Sequence, residues 1–233
     1  RNGDGIVLNT ASLMISGIDT QLTVAGGVAK YGQSTVTVSS GAFLNTNDWC
    51  DNGNTDGQHT LPRGSTCNMT TSVYVVANTL LELSSENGNG ECAIISGNYV
   101  TRHFYVLGGN LTLTDLILEN GRPSDGNGGG AICVFGSSTA TTLVHLVRSI
   151  IRRCDVSHLA KRGGALYLEG DADTDADTAI LLLEGSTFDS NKGLKGGTVY
   201  AIEGTVKLKE GTISHVINNE ATYLGGGFCL QFR

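Results

Sequence analysis

From about residue 100 onward, apolar residues fall at every second position in short runs, and most runs are led by paired glycines. GGAICVFG begins at Gly129, GGALYLEG at Gly163, GGTVYAIEG at Gly196 and GGGFCLQF at Gly225, with a glycine-less relative, RHFYVLGG, at Arg102. When His103, Ala131, Ala165, Thr198 and Gly227 are set in one column, the next column reads Phe104, Ile132, Leu166, Val199 and Phe228. Two positions further on it reads Val106, Val134, Leu168, Ala201 and Leu230, and the column between holds Tyr105, Cys133, Tyr167, Tyr200 and Cys229. Alternation with a period of two predicts strands that turn one face to a core and the other outward.

A second strand recurs inside each unit: Leu111, Leu113, Leu118; Val144, Leu146, Ile151; Leu181, Leu183, Phe188; Val206, Leu208, Ile213. The units are about 28 to 34 residues long, a period that predicts a solenoid. In one coil of a parallel β-helix, like positions of successive coils lie about 4.8 Å apart and pair through the backbone. Inward positions then build ladders of Val, Leu, Ile and Phe, outward ones a ladder of Tyr and Cys. Glycines mark the sharp corners, where a Cβ would be strained. Two coils are longer than the rest, and the swellings fall at Phe135 to Leu143 and Glu169 to Ile180, where surface loops accept insertions. The expected fold is all-β: a right-handed parallel β-helix with long corner loops in two coils. It should span residues 71–233 and continue past the C-terminus, with 1–70 an N-terminal β region of degenerate coils or a cap.

These residues resemble a known family. GGAI at Gly129–Ile132, GGAL at Gly163–Leu166 and, loosely, GGTV at Gly196–Val199, with FDSN at Phe188–Asn191, look like the GGAI/FxxN repeats of chlamydial polymorphic outer-membrane proteins. More broadly they resemble secreted proteins with the pectin-lyase-like right-handed β-helix. The positions matching Asn191 in other coils are read as Gly121, Cys154 and Val216, so an unbroken asparagine ladder is not expected. The resemblance covers roughly residues 74 to 233 and implies fold more than activity.

Composition agrees with strands and turns: the 233 residues include 33 glycines and 2 prolines. The net charge of −7 argues against general attraction to nucleic acid. No apolar run reaches the roughly 18 to 20 residues that cross a bilayer. The chain starts at Arg1 and stops inside a repeat, so both ends are expected to be cuts in a longer polypeptide whose export signal lies elsewhere. None of the 6 cysteines forms a CxxC pair, which disfavours zinc. A Cys50–Cys67 disulfide would close the polar loop between them and suit an oxidising compartment. Asn68 and Asn110 head glycosylation sequons.

Candidate chemistry is sparse. Asn54-Thr55-Asp56-Gly57 resembles a polygalacturonase motif in which Asp56 would be a catalytic acid, but the partner aspartate pair, Gly-His-Gly and Arg-x-Lys are missing, and an Asx turn accounts for it. Asp171, Asp173, Asp175 and Asp177 alternate as oxygen ligands for calcium would, or form a solvated acidic loop. Arg148, Arg152, Arg153, Lys161, Arg162, Lys192 and Lys195 gather in neighbouring coils, as a patch for an anionic partner or as solvated charge. The five histidines are dispersed, and no nucleophile–base arrangement can be built from spacing. The outward Tyr/Cys column and uneven coils argue against an ice-binding threonine face. The reading is a non-enzymatic structural or adhesive module of an extracellular or cell-surface assembly, such as a filament, wall, surface layer or adhesin stalk, with protein neighbours or polysaccharide as partners and no cofactor except, in the alternative, calcium. The competing reading is a carbohydrate-active β-helix enzyme acting on acidic polysaccharide.

Overall fold

The structure, a computed structural model, describes residues 57–86, 91–159, 161–173 and 178–231, together with the backbone of six strands before residue 57. The chain divides into two compact units, Arg1–Asn54 and Thr55–Arg233. In the first, β1 (Ile6–Asn9), β2 (Ser12–Ser16) and β3 (Gln21–Val24) pair in parallel with β4 (Val28–Tyr31), β5 (Thr35–Ser39) and β6 (Phe43–Thr46), so two successive turns of chain stack strand on strand.

The second unit is the parallel β-helix that the periodicity predicts, and its described coils begin at Gly57. The first coil holds β7 (Gly57–Leu61), β8 (Thr66–Asn68) and β9 (Val73–Val76); the second β10 (Leu80–Ser85), β11 (Ala93–Ser96) and β12 (Phe104–Leu107). The third holds β13 (Asn110–Thr114), β14 (Leu116–Glu119) and β15 (Ile132–Phe135); the fourth β16 (Thr142–Val147), β17 (Ile150–Arg152) and β18 (Leu166–Glu169). The fifth has β19 (Ala179–Glu184), β20 (Thr187–Asp189), β21 (Lys192–Lys195) and β22 (Val199–Ile202). The last has β23 (Thr205–Leu208), β24 (His215–Ile217), β25 (Glu220–Leu224) and β26 (Phe228–Gln231). Three six-stranded parallel sheets result, one from the first strand of each coil, one from the second and one from the last, while β21 and β25 form a short extra pair.

The expected columns are the observed registers. Phe104, Ile132, Leu166, Val199 and Phe228 pair in sequence, as do Val106, Val134, Leu168, Ala201 and Leu230. Leu111, Val144, Leu181 and Val206 form a column of the first sheet. Leu118, Ile151 and Phe188 continue in the second sheet with Val216, not with Ile213 as the fixed spacing predicts. The reason is a turn in the last coil, closed by the Thr212 amide donating to the Lys209 carbonyl, which adds residues before β24. The inward columns are solvent-free from Leu81 through Leu183, whereas in the last described coil Leu208 is 68% exposed.

Each corner has its own device. Between the first and second sheets the chain passes through left-handed conformations at Asp115, Arg148 and Gly185. The following amides of Leu116, Ser149 and Ser186 donate to the hydroxyls of Ser149, Ser186 and Ser214 one coil on, a serine ladder that keeps buried N–H groups satisfied. Leaving the second sheet, Asn120, Arg153, Ser190 and Asn218 are left-handed. There the corrected register matters: Asn191 is stacked on Asn219, not Val216, and its amide donates to Asn219 Oδ1 at 2.9 Å and to the Ile151 carbonyl at 3.0 Å. Cys154 replaces asparagine in the coil before, and its own amide donates to Asn191 Oδ1. The ladder is therefore two asparagines long.

The glycine pairs build the remaining corner. Gly163 has φ of +68°, and its neighbour Gly164 lies against the Gly197 carbonyl of the next coil so closely that a methyl group would overlap it. The first glycine supplies the turn and the second lets successive corners nest.

Candidate functional site

Among the described residues, the third sheet carries a surface where the repeat places chemistry in a row. Its outward column supplies Tyr74, Tyr105, Tyr167 and Tyr200, with Cys133 in the middle. A cysteine is too small to continue the stack. Phe135, two positions along the same strand, takes its place: its backbone pairs with Leu107 and Glu169, yet its ring lies 5.7 Å from Tyr105 and 5.9 Å from Tyr167. The ladder of rings is thus continuous from Tyr74 to Tyr200, with centroid separations of 5.3 to 6.0 Å.

Ring orientation decides what the ladder can do. Tyr74 on Tyr105, Tyr105 on Phe135 and Tyr167 on Tyr200 are stacked at 26°, 24° and 9°, so those faces are spent on one another and lock adjacent coils. Phe135 and Tyr167 are tilted by 53°, and the stack opens there. Beside the opening lies a groove of about 330 Å³ between the Gly126–Gly128 segment and the Lys161–Arg162 corner, floored by Phe135 and Tyr167 and edged by Glu169 and Leu194. The Tyr167 hydroxyl donates to Glu169 Oε2 at 2.7 Å; burial, reinforced by that carboxylate, raises the phenol's pKa and keeps it protonated.

The far wall owes its shape to Arg102, a fully buried arginine at the end of the preceding corner. Its guanidinium donates to the carbonyls of Gly129, Gly128 and Asn127 at 3.0, 2.8 and 3.2 Å, grips Asp125 through both oxygens and lies 5.1 Å from the Tyr105 ring centre. The segment from Asp125 to Gly129 is held around this cation, and Asn127 also donates to the Tyr105 hydroxyl.

The structure divides the basic patch. Arg148 forms a two-pronged pair with Asp115, Arg152 and Arg153 share Glu119, and Lys192 pairs with Glu220. Lys161, Arg162 and Lys195 pair with no carboxylate among the described residues: Lys161 and Arg162 line the groove, Arg162 Cζ lies 4.9 Å from the centre of the Tyr200 ring, and Lys195 Nζ lies 5.5 Å from that of Tyr223 on β25. Sequence reasoning gathered all seven cations by proximity along the chain, but their partners come from neighbouring coils.

Asn68 and Asn110 are exposed on the second and first sheets. Asp171 and Asp173 lie on a corner loop, where the Asp171 carboxylate accepts the Asp173 amide. Asp175, Asp177, Asp56 and Cys50 fall outside the described residues; Cys67 is buried on β8 and is not one of the free cysteines. Among the described residues no three His, Cys, Asp or Glu side chains converge as a metal site, and no helix is long and apolar enough to cross a membrane. His103 is fully buried, with a pKa lowered to about 4 chiefly by burial, against the upward pull of the Glu119 carbonyl. The Tyr column was legible in the sequence; Phe135 was not, because its ring serves a position two residues from its own.

Burial raises the thiols of Cys133 and Cys154 to about 12. Only a thiolate alkylates at a useful rate. Peptide mapping after brief iodoacetamide treatment of the folded protein should therefore find Cys92 and Cys229, both partly exposed, modified and Cys133 and Cys154 intact until denaturant is added.

No family model matches the sequence, and neither a curated protein nor a solved structure matches the chain. The resemblance to polymorphic outer-membrane protein repeats stands on the motif residues alone.

Proposed function

We infer that the chain is a structural or adhesive module of an extracellular or cell-surface assembly, presenting the third sheet to an anionic partner. The observation that carries this reading is the row of stacked rings with Lys161 and Arg162, which pair with no carboxylate among the described residues, at its edge. It is a rigid surface repeated along the coils rather than a constellation focused on one reacting atom. Among the described residues Glu169 is the one carboxylate lining the groove, and its oxygen is engaged by Tyr167, whereas inverting glycoside hydrolysis needs two carboxyl groups roughly 6.5 to 9.5 Å apart. The sequons at Asn68 and Asn110 and a Cys50–Cys67 link fit the same secreted setting. Glycans on the first two sheets would leave the third bare.

The test is prolonged incubation with acidic polysaccharides, with and without calcium, assayed for new reducing ends and for unsaturated uronate products. The expected result is intact polymer in every case. Cleavage that disappears in Glu169→Gln would establish the carbohydrate-active enzyme instead.

A further inference from the structure

We propose that the groove between Asn127 and Arg162 binds a carboxylate-bearing pyranose, a uronate residue of an acidic polysaccharide, without cleaving it. The inference deepens the reading above, on which it rests, by naming the partner's chemistry and the point of contact.

Three observations converge on this ligand. The first is Arg162 itself. Arg63, Arg102, Arg122, Arg148, Arg152 and Arg153 each donate a side-chain hydrogen bond. The Arg162 side chain has no acceptor among the described residues, although packing on Tyr200 holds its guanidinium in place. A planar fork held in position with its donors unspent matches a planar carboxylate, which it can bind through two parallel hydrogen bonds. Lys161 adds a second charge, and Glu169 cancels one of the two, so the groove complements about one negative charge per bound unit.

The second observation is the break in the ring ladder. Everywhere else along it the aromatic faces cover one another; between Phe135 and Tyr167 the 53° tilt turns ring surface toward the groove. The C–H face of a pyranose is apolar and its rim is hydroxylated, so a ring floor bordered by Asn127, Glu169 and Lys161 suits a sugar better than a bare anion. A volume of about 330 Å³ lies at the small end of ligand sites, room for a sugar residue or two.

The third observation separates glycan from acidic peptide. Extended peptides gain much of their affinity by adding a strand to a free sheet edge. The strands beneath the groove, β15 and β18, are each paired on both sides, so no backbone edge is offered. What remains is ring surface and side-chain charge, the means by which saccharides are held.

The experiment is calorimetric titration of the protein with a glucuronate-containing oligosaccharide, with a neutral oligosaccharide of the same length, a sulfated one and a poly-glutamate peptide as comparators. Binding of the uronate chain in preference to the other three is expected, weakened about tenfold or more in Arg162→Gln and by less in Arg162→Lys, which keeps the charge and loses the fork. Lys161→Gln, which leaves the packing of Arg162 on Tyr200 in place, supplies a second variant should Arg162→Gln unfold. Equal binding of poly-glutamate or the sulfated chain, indifference to both substitutions, or no binding of the uronate chain would each overturn the proposal. The cleavage assay decides the parent reading separately: failure to bind leaves a non-cleaving module standing, whereas cleavage removes it whatever the titration gives.

Discussion

Replacing Gly164 with alanine should lower the melting temperature of the β-helix by about 6 to 12 °C, taking about 3 kcal/mol for overpacking and a few degrees per kcal/mol for a chain of this size. A methyl group there would overlap the Gly197 carbonyl and lie 2.7 Å from the backbone N and C of Lys192. Backbone atoms on two sides cannot swing away as a side chain would, so relief requires neighbouring coils to separate. That separation would strain the parallel pairing of β18 with β22 on the adjoining sheet. Gly211→Ala is the informative comparison. Gly211 has φ of +75° with open space where the methyl would go, so alanine there costs only its backbone conformation, about 1 kcal/mol. Thermal melts followed by far-ultraviolet circular dichroism should rank Gly164→Ala well below Gly211→Ala, and Gly164→Val lower still. If Gly164→Ala melts with the parent protein, corner nesting does not set the coil spacing.

The same pair of glycines shows how far the sequence could be read. A doublet repeated at Gly129, Gly163, Gly196 and Gly225 was visible as a corner, because positive φ and close nesting leave glycine as the residue that fits, and the alternating columns around it became registers. The error at Ile213 had a local cause. Periodicity was extrapolated across a corner where the turn at Lys209–Thr212 adds residues, so Val216 and Asn219 took the places given to Ile213 and Val216. The candidate site was less legible, because charge counted along a chain ignores what the next coil supplies. Arg152 and Arg153 look like free cations until Glu119, one coil earlier, is stacked against them. Arg162 looks like the other arginines until, among the described ones, it is found without a hydrogen-bond acceptor. Arg102 carried no signal at all: it opens the glycine-less run, and only the fold brings the Asp125–Gly129 segment around it.

Arg102→Met should destabilise the protein by about 3 to 5 kcal/mol, the lower part of the range when three carbonyls each lose a donor worth about 1 to 3 kcal/mol. Methionine fills much of the volume but donates nothing, so the carbonyls of Asn127, Gly128 and Gly129 would lose donors they cannot replace inside the protein. Asp125 is differently placed. Its side chain is 42% exposed, and water can solvate it once the arginine has gone. Asp125→Asn should cost less than Arg102→Met, because Arg102 keeps its three carbonyl acceptors and the asparagine Oδ1 can still accept from it. Hydrogen exchange locates the effect: faster exchange in Arg102→Met should appear first between residues 121 and 131, before the inward strands β13 and β16 lose protection. Because this segment forms one wall of the groove, uronate binding should fall in Arg102→Met even at temperatures where the β-helix is intact. Equal stability of Arg102→Met and Asp125→Asn, or exchange unchanged across 121–131, would show that the buried guanidinium does not organise the loop.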